Sequence, residues 1–131
     1  MTGAARADAA ADAIKDFGLL GTWAMFCNAA VAQDNAFVSY EIRDGIAVRT
    51  TRTYWKDTAG VATVTDARII DPTHLSQTWK FGEFTFEQII EMKDGRYRLM
   101  FSKGGDGVVY YEDGRNPLDE KETPWLEKCQ R

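Results

Sequence analysis

The sequence has 131 residues, a formal net charge of -4, 44% hydrophobic and 27% charged residues, and two cysteines. This length suits a single domain with one core, and the composition is that of a globular chain rather than a disordered one. A net negative chain without a dense basic cluster lacks the charge that nucleic-acid phosphates require. No run of 18 or more apolar residues occurs, so the sequence predicts no transmembrane helix.

The first eighteen residues differ from the rest. The alanine-rich stretch 4–17 predicts a short helix, and Gly18 suits its C-terminal cap. We therefore predict a helical extension over 1–18 and a single barrel domain over 19–131. The segment carries charges throughout and lacks the uninterrupted apolar region of a signal peptide. Two expectations stay open on this ground: a cytoplasmic protein, or an exported one whose signal has been removed.

After Gly18 the apolar pattern has a period of two, which is typical of strands. The alternating runs are 20–27, 37–43, 46–55, 61–70, 74–81, 84–92, 97–101 and 108–112. Turn signals separate several of them, including Asp44-Gly45 and Asp94-Gly95, and the polar residues 56–60 predict a further turn. About eight strands without intervening helices predict an all-β fold, an antiparallel up-and-down barrel. A β-sandwich is the alternative, because strand spacing does not show whether a sheet closes.

The C-terminal tail predicts one more element. Residues 116–121 are polar, and Thr123-Pro124 matches the N-cap and the first position of a helix. We therefore predict a single C-terminal helical turn, with Trp125 and Leu126 anchoring it against the barrel.

The strand alternation directs many polar side chains into the presumed interior. A core that serves packing alone seldom buries so many hydrogen-bonding groups, whereas a ligand cavity uses a few of them to orient an apolar guest. The alternation directs Thr50 and Thr63 inward. It also directs inward the residues that we predict to bind the ligand, which are Tyr40, Arg52, Gln77, Trp79, Gln88, Tyr97, Phe101 and Tyr110. Two alternatives remain: the polar groups satisfy one another, or the register is shifted by one residue, with Arg49 inside and Arg52 outside.

Other chemistry has little support in the sequence. His74 is the only histidine, and a catalytic role would need a carboxylate beside it in a pocket. No nucleophile motif is present, and one histidine with two distant cysteines does not make a zinc site. We therefore predict no catalytic residue, no metal and no cofactor, and an enzyme is the third functional hypothesis.

Cys27 and Cys129 lie near the two ends of the strand region. They are either two unrelated buried thiols or a bond that encloses nearly the whole fold. Leu20-Gly21-Thr22-Trp23 resembles the Gly-x-Trp element of lipocalins and related calycin barrels, in which the Trp closes one end of the barrel. Lipocalins also place a basic residue of the last strand across this Trp, and Arg115 is the candidate for that position.

The two ends of the sequence, taken together, extend this resemblance. With Cys27 and Glu122-Thr123-Pro124-Trp125…Cys129, the chain is similar to a group of small exported bacterial proteins of unknown function. The resemblance implies export to the periplasm or the medium, a disulfide between Cys27 and Cys129, and a lipocalin-like barrel. It implies no activity.

Two functional hypotheses follow. The first is an exported protein that binds a small, largely apolar ligand inside the barrel, with Arg52, Gln77 and Gln88 orienting it; this requires Arg52 to face the cavity. The second is a protein-interaction or inhibitor module with a filled barrel, acting through surface loops around 29–36 or 103–107.

Overall fold

The computed structural model describes residues 2–32, 34–52 and 59–129. Within these ranges the chain forms one helix and nine strands. They are α1 (Thr2–Asp16), β1 (Gly21–Ala24), β2 (Phe37–Arg43), β3 (Ile46–Arg52), β4 (Ala59–Asp71), β5 (His74–Phe81), β6 (Phe84–Lys93), β7 (Arg96–Gly104), β8 (Val109–Tyr111) and β9 (Leu126–Cys129). The predicted strand residues 53–55 and most of the predicted turn 56–60 lie outside the described residues, whereas 59 and 60 belong to β4.

The strands form a closed antiparallel barrel. Strands β1 to β7 pair successively along the chain, and β9 pairs with both β7 and β1 to complete the circle. β8 is an extra strand that pairs with the far end of the β7 edge, beyond the residues that β9 contacts. The predicted eight-stranded up-and-down barrel is therefore confirmed, and the closure rules out the sandwich alternative.

Two tight turns set the register of their hairpins. Asp44 and Gly45 have φ values of 51° and 80°, and Asp94 and Gly95 have φ values of 53° and 76°. Two successive positive φ values match the twist of the flanking strands, as in a type I′ turn, and Asp-Gly pairs adopt them at low cost. Because Arg43 lies opposite Ile46 across the first turn, every later pair in that hairpin is fixed.

The C-terminal segment is a strand, so the predicted helical turn is wrong. β9 lies between β1 and β7, with Cys129 opposite Thr22 and Leu126 opposite Tyr97. The hydroxyl of Thr123 does not cap a helix; it donates to the backbone carbonyl of Leu99 at 2.6 Å. Pairing of two otherwise open strand edges outweighs the local preference of Thr-Pro for a helix start.

The helix joins the core at one end of the barrel. α1 packs against β3 and β4, with Ala10, Ala11 and Ile14 at most 5% exposed and part of the same apolar cluster as the barrel interior. The Asp8 carboxylate approaches the turn at Gly45, which places α1 near the β2–β3 turn. The small alanine side chains allow this close approach. No helix in the described part of the chain is long and apolar enough to cross a membrane.

Trp23 is the largest side chain of this core. Its ring is 2% exposed, packs edge-to-face on Tyr97 with 4.9 Å between ring centroids, and donates its indole N–H to the carbonyl of Leu19 at 2.9 Å. The Lys128 ammonium of β9 lies 5.6 Å from the ring, so the basic residue across this Trp is Lys128 and not Arg115. Gly21 leaves room for that side chain, because a Cβ there would come within 2.8 Å of Lys128 Cε.

A disulfide joins Cys27 to Cys129, as the resemblance implied. It ties the long β1–β2 connection to the end of β9. The same connection is held internally by Asn35, which is 4% exposed. The Asn35 side chain accepts from the backbone N–H of Phe26 and donates to the carbonyls of Phe26 and Ala30. This segment is therefore a fixed wall beside the barrel.

Candidate functional site

The barrel interior contains three adjoining cavities at the end away from α1. Their volumes are 460, 410 and 390 Å³, within the range of small-molecule sites. The first shares Gln88, Leu99 and Tyr111 with the second and Arg49 with the third, and the last two share Trp79 and Phe86. Their apolar walls include Val38, Ala62, Phe81, Phe86, Ile90, Leu99 and Leu126.

Most of the residues proposed from the sequence come together here. Tyr40, Gln88 and Tyr97 line the first cavity, and Trp79 and Tyr110 line the second with Gln88. Gln77 is 1% exposed and lies behind this wall, hydrogen-bonded to Tyr40 and Gln88. The barrel thus brings six of the eight predicted residues into one site; their binding of a ligand stays a prediction.

The inward placement of Arg52 is wrong. In the β2–β3 hairpin Tyr40 lies directly opposite Arg49, and opposed residues share a face of the sheet. Since Tyr40 is buried inside, Arg49 points inward, whereas Arg52 is exposed and lines a groove on the outside. The same one-residue shift places Thr50 and Thr63 on the outer face. The structure therefore has the alternative register considered from the sequence, and the ligand hypothesis fails in the form that requires Arg52 to face the cavity; Arg49 occupies the inward position instead.

The inward placement of Phe101 is also wrong, for a different reason. Ile89 lies opposite Phe101, but its neighbour Ile90 lies opposite Leu99, so Met100 is an extra residue in β7. Such a β-bulge shifts the alternation by one. The backbone carbonyl of Met100 accepts a hydrogen bond from the backbone N–H of Gly114 at 2.8 Å. Beyond the bulge Ser102 faces the interior and Phe101 faces outward.

A chain of hydrogen bonds crosses the interior between β3 and β7. Arg49 Nε donates to the Tyr40 hydroxyl at 3.3 Å, and Gln77 Nε2 donates to the same hydroxyl at 2.8 Å. Gln77 Nε2 also contacts Gln88 Oε1, and Gln88 Nε2 donates to the Ser102 hydroxyl, both at 3.3 Å. This interior polar chain, defined by Arg49, Tyr40, Gln77, Gln88 and Ser102, satisfies most of its members and fixes their side chains.

Tyr97 lies beside this chain and stays neutral. Burial raises the pKa of its phenol far above the ordinary range, and the neighbouring Tyr40 raises it further, although the Arg49 charge lowers it. The influence of Arg49 on Tyr97 agrees with a guanidinium that faces the interior. The site therefore combines the Arg49 guanidinium with the neutral Tyr97 phenol.

Two buried polar atoms at the site have no partner among the described residues: Gln77 Oε1 and the indole nitrogen of Trp79. A buried donor or acceptor without a partner costs about 1–3 kcal/mol, so such groups are rare in a core. One is an acceptor and the other a donor, and Trp79 lines two of the cavities. The unpartnered donor of Trp79 thus belongs to a residue of the cavity wall, whereas Gln77 lies behind that wall.

A further cavity of 550 Å³ is a separate groove outside the barrel, beside the disulfide. Three of its polar side chains have partners: Thr22 and Ser39 share a hydrogen bond at 3.0 Å, and Glu127 accepts from the backbone N–H of Cys27. The interior cavities combine apolar walls with the inward side chain of Arg49, and we therefore regard them as the candidate site despite their smaller volume.

His74 lies on the outer face, and it is not among the residues that line the interior cavities. Its Nδ1 is 3.0 Å from Asp71 Oδ1, and its Nε2 is 3.7 Å from Glu91 Oε2. The hydrogen bond from His74, followed by that from the backbone N–H of Thr73, lowers the pKa of the Asp71 carboxyl. No group of three or more metal-ligating side chains occurs among the described residues.

Removal of this imidazole should be visible in the titration of its partner. In His74→Ala we expect the Asp71 pKa to rise toward the ordinary aspartate value, measured by carbon-detected NMR titration. Because the folded pKa is lowered, the Asp71 contribution to stability is present above the unfolded pKa and is lost as pH falls through the folded value. Ser76→Ala, on the same face of β5, is the control, and an unchanged Asp71 pKa in His74→Ala would refute the assigned cause.

No protein-family model, curated protein or solved structure matches this chain.

Proposed function

We propose that this protein binds a small, largely apolar ligand inside its barrel. The observation that carries the proposal is an open interior whose apolar walls adjoin the interior polar chain, with Arg49 among the residues that line the cavities. Protein cores are packed to crystal-like density, with few voids larger than a water molecule. An interior of several hundred Å³ is therefore a feature to be explained, and a ligand supplies the apolar contacts that the open space lacks.

The end of the barrel away from α1 is suited to ligand entry. Phe84 and Phe81 at the β5–β6 turn are 65% and 45% exposed, and Val108 before β8 is 46% exposed. Apolar side chains around an opening reduce the desolvation cost of an apolar ligand on its way in. The same residues support the second candidate, a surface that binds another protein; that function would not depend on the cavity.

We further propose that the chain works in an oxidising compartment, as an exported protein. The Cys27–Cys129 disulfide supports this, since structural disulfides persist mainly in secreted and periplasmic proteins. The barrel with Trp23 near one end agrees with the lipocalin-like resemblance. A cytoplasmic protein, the alternative, would hold these cysteines as thiols, and a thiol titration of the denatured, unreduced protein should find none.

A neutral fluorescent probe tests the proposal. We expect N-phenylnaphthylamine to bind saturably with a strong rise in emission, because its rings enter the apolar interior. Leu99→Trp, which places a large side chain in two of the cavities, should weaken this binding by about tenfold or more.

Ile89→Trp provides the matched control, because Ile89 faces outward on the neighbouring strand opposite Phe101. It should leave the affinity for the probe unchanged. Absence of saturable binding to the unmodified protein, or equal weakening by both variants, would contradict a ligand inside the barrel.

A further inference from the structure

Arg49 has donors to spare. A guanidinium has five N–H groups. Arg49 uses Nε toward the Tyr40 hydroxyl at 3.3 Å and Nη1 toward the Thr51 hydroxyl at 2.9 Å. Nη2 and the second hydrogen of Nη1 make no hydrogen bond to the described residues. These free N–H groups belong to a side chain that lines two interior cavities.

The charge of Arg49 also lacks a counter-ion. No carboxylate of the described residues lies within ion-pair distance of it, and its two bonded partners are neutral hydroxyls. The guanidinium carbon lies 4.7 Å from the centroid of the Trp79 ring, which holds the group in place. A cation that is partly withdrawn from water and unpaired is unfavourable unless an anion joins it.

The other charges near the cavity do not fill this role. Arg98, at the edge of the first cavity, is 3.1 Å from Glu91 and 3.4 Å from Glu122, so its charge is already paired. Asp34 lines the same cavity but is exposed to solvent. Arg49 is thus the unpaired cation of the interior within the described residues.

We infer that the ligand of this cavity is an amphipathic monocarboxylate, with its apolar body against the barrel walls and its carboxylate on Arg49. The inference rests on the proposed function and narrows it to a chemical class. A carboxylate matches the free edge of the guanidinium, because its two oxygens accept two parallel N–H bonds.

The single cation of the interior favours a monocarboxylate over other classes of ligand. A phosphate monoester carries up to two negative charges and three acceptor oxygens at neutral pH, which one guanidinium does not neutralise. A wholly apolar ligand would leave the Arg49 charge without a counter-ion. A monocarboxylate pairs the charge without introducing a second one.

The test uses two fluorescent probes that differ only at the head group: dansylaminoundecanoic acid and its primary amide. Near pH 7 the acid is ionised and the amide is neutral. We expect the unmodified protein to bind the acid about 10- to 100-fold more tightly than the amide, the range for a hydrogen bond to a charged group. Arg49→Gln should abolish that preference, whereas Arg52→Gln, on the outer face of the same strand, should retain it.

The outcomes separate the inference from the proposed function. If N-phenylnaphthylamine and the amide bind but the acid has no advantage, the carboxylate inference fails and the apolar ligand stands. If none of the three probes binds, both fail. An acid preference that survives Arg49→Gln would overturn the role of Arg49. Should that variant not fold, the comparison of acid with amide on the unmodified protein decides the ligand class, and Arg49→Lys, which keeps the charge, should retain part of the preference.

Discussion

Replacing both cysteines in the double variant Cys27→Ser, Cys129→Ser is expected to lower the free energy of unfolding by about 4–5 kcal/mol. The bond joins residues 102 positions apart in the sequence, so it constrains nearly the whole unfolded chain. In the chain-entropy model, closing a loop of about 100 residues is worth about 4.7 kcal/mol at room temperature. A domain of this size has a total stability of about 5–15 kcal/mol, so the variant should be marginally folded.

Urea denaturation followed by tryptophan fluorescence measures this loss, and the unmodified protein in reductant is the control. Both samples should unfold at similar, lower urea concentrations. The disulfide also ties the β1–β2 connection to β9, the strand that closes the barrel. The loss in free energy of unfolding should therefore be no smaller than the value from the chain-entropy model. A loss of less than about 1 kcal/mol would mean that the closure is held by packing and strand pairing alone.

Trp23→Ala should have the second largest effect on stability, a loss of about 3–5 kcal/mol. The substitution removes a ring that is 2% exposed, its edge-to-face contact with Tyr97 and the hydrogen bond from its indole N–H to Leu19. It also leaves a cavity at the most densely packed end of the barrel, where α1 joins the core. Thermal unfolding followed by circular dichroism gives the magnitude.

Trp125→Ala is the matched control for that experiment. Trp125 is half-buried on the outside, where Arg98 and Arg96 lie 4.9 and 5.8 Å from its ring. Its loss should cost about 1 kcal/mol, because exposed cation–π contacts are weak. Equal effects of the two substitutions would show that Trp23 is not the centre of the core.

The barrel was predictable because its signals are local. Period-two alternation and Asp-Gly turns identify strands and hairpins without knowledge of the rest of the chain. The inward orientation of Arg49 is also predictable from the sequence. Counting outward from Asp44-Gly45 places residue 49 opposite residue 40, so an inward Tyr40 requires an inward Arg49. Strand alternation taken without the turn predicts an inward Arg52 instead.

Other features depend on contacts between distant parts of the chain. The bulge at Met100 is stabilised by a hydrogen bond from the backbone N–H of Gly114, and no sequence motif in β7 predicts it. β9 is a strand because β1 and β7 both offer it unpaired edges, a tertiary effect that outweighs the helix signal of Thr123-Pro124. The unpartnered atoms of Gln77 and Trp79 likewise become visible only when the strands are assembled.

The most direct test of an interior binding site is an NMR spectrum of the backbone and side-chain N–H groups, recorded with and without saturating N-phenylnaphthylamine. We expect the largest shifts at the Trp79 indole N–H and the Gln88 side-chain amide, which line the cavities. The Trp125 indole, on the outside, should not move. Shifts confined to the outer surface, or no shifts at saturation, would contradict a ligand inside the barrel.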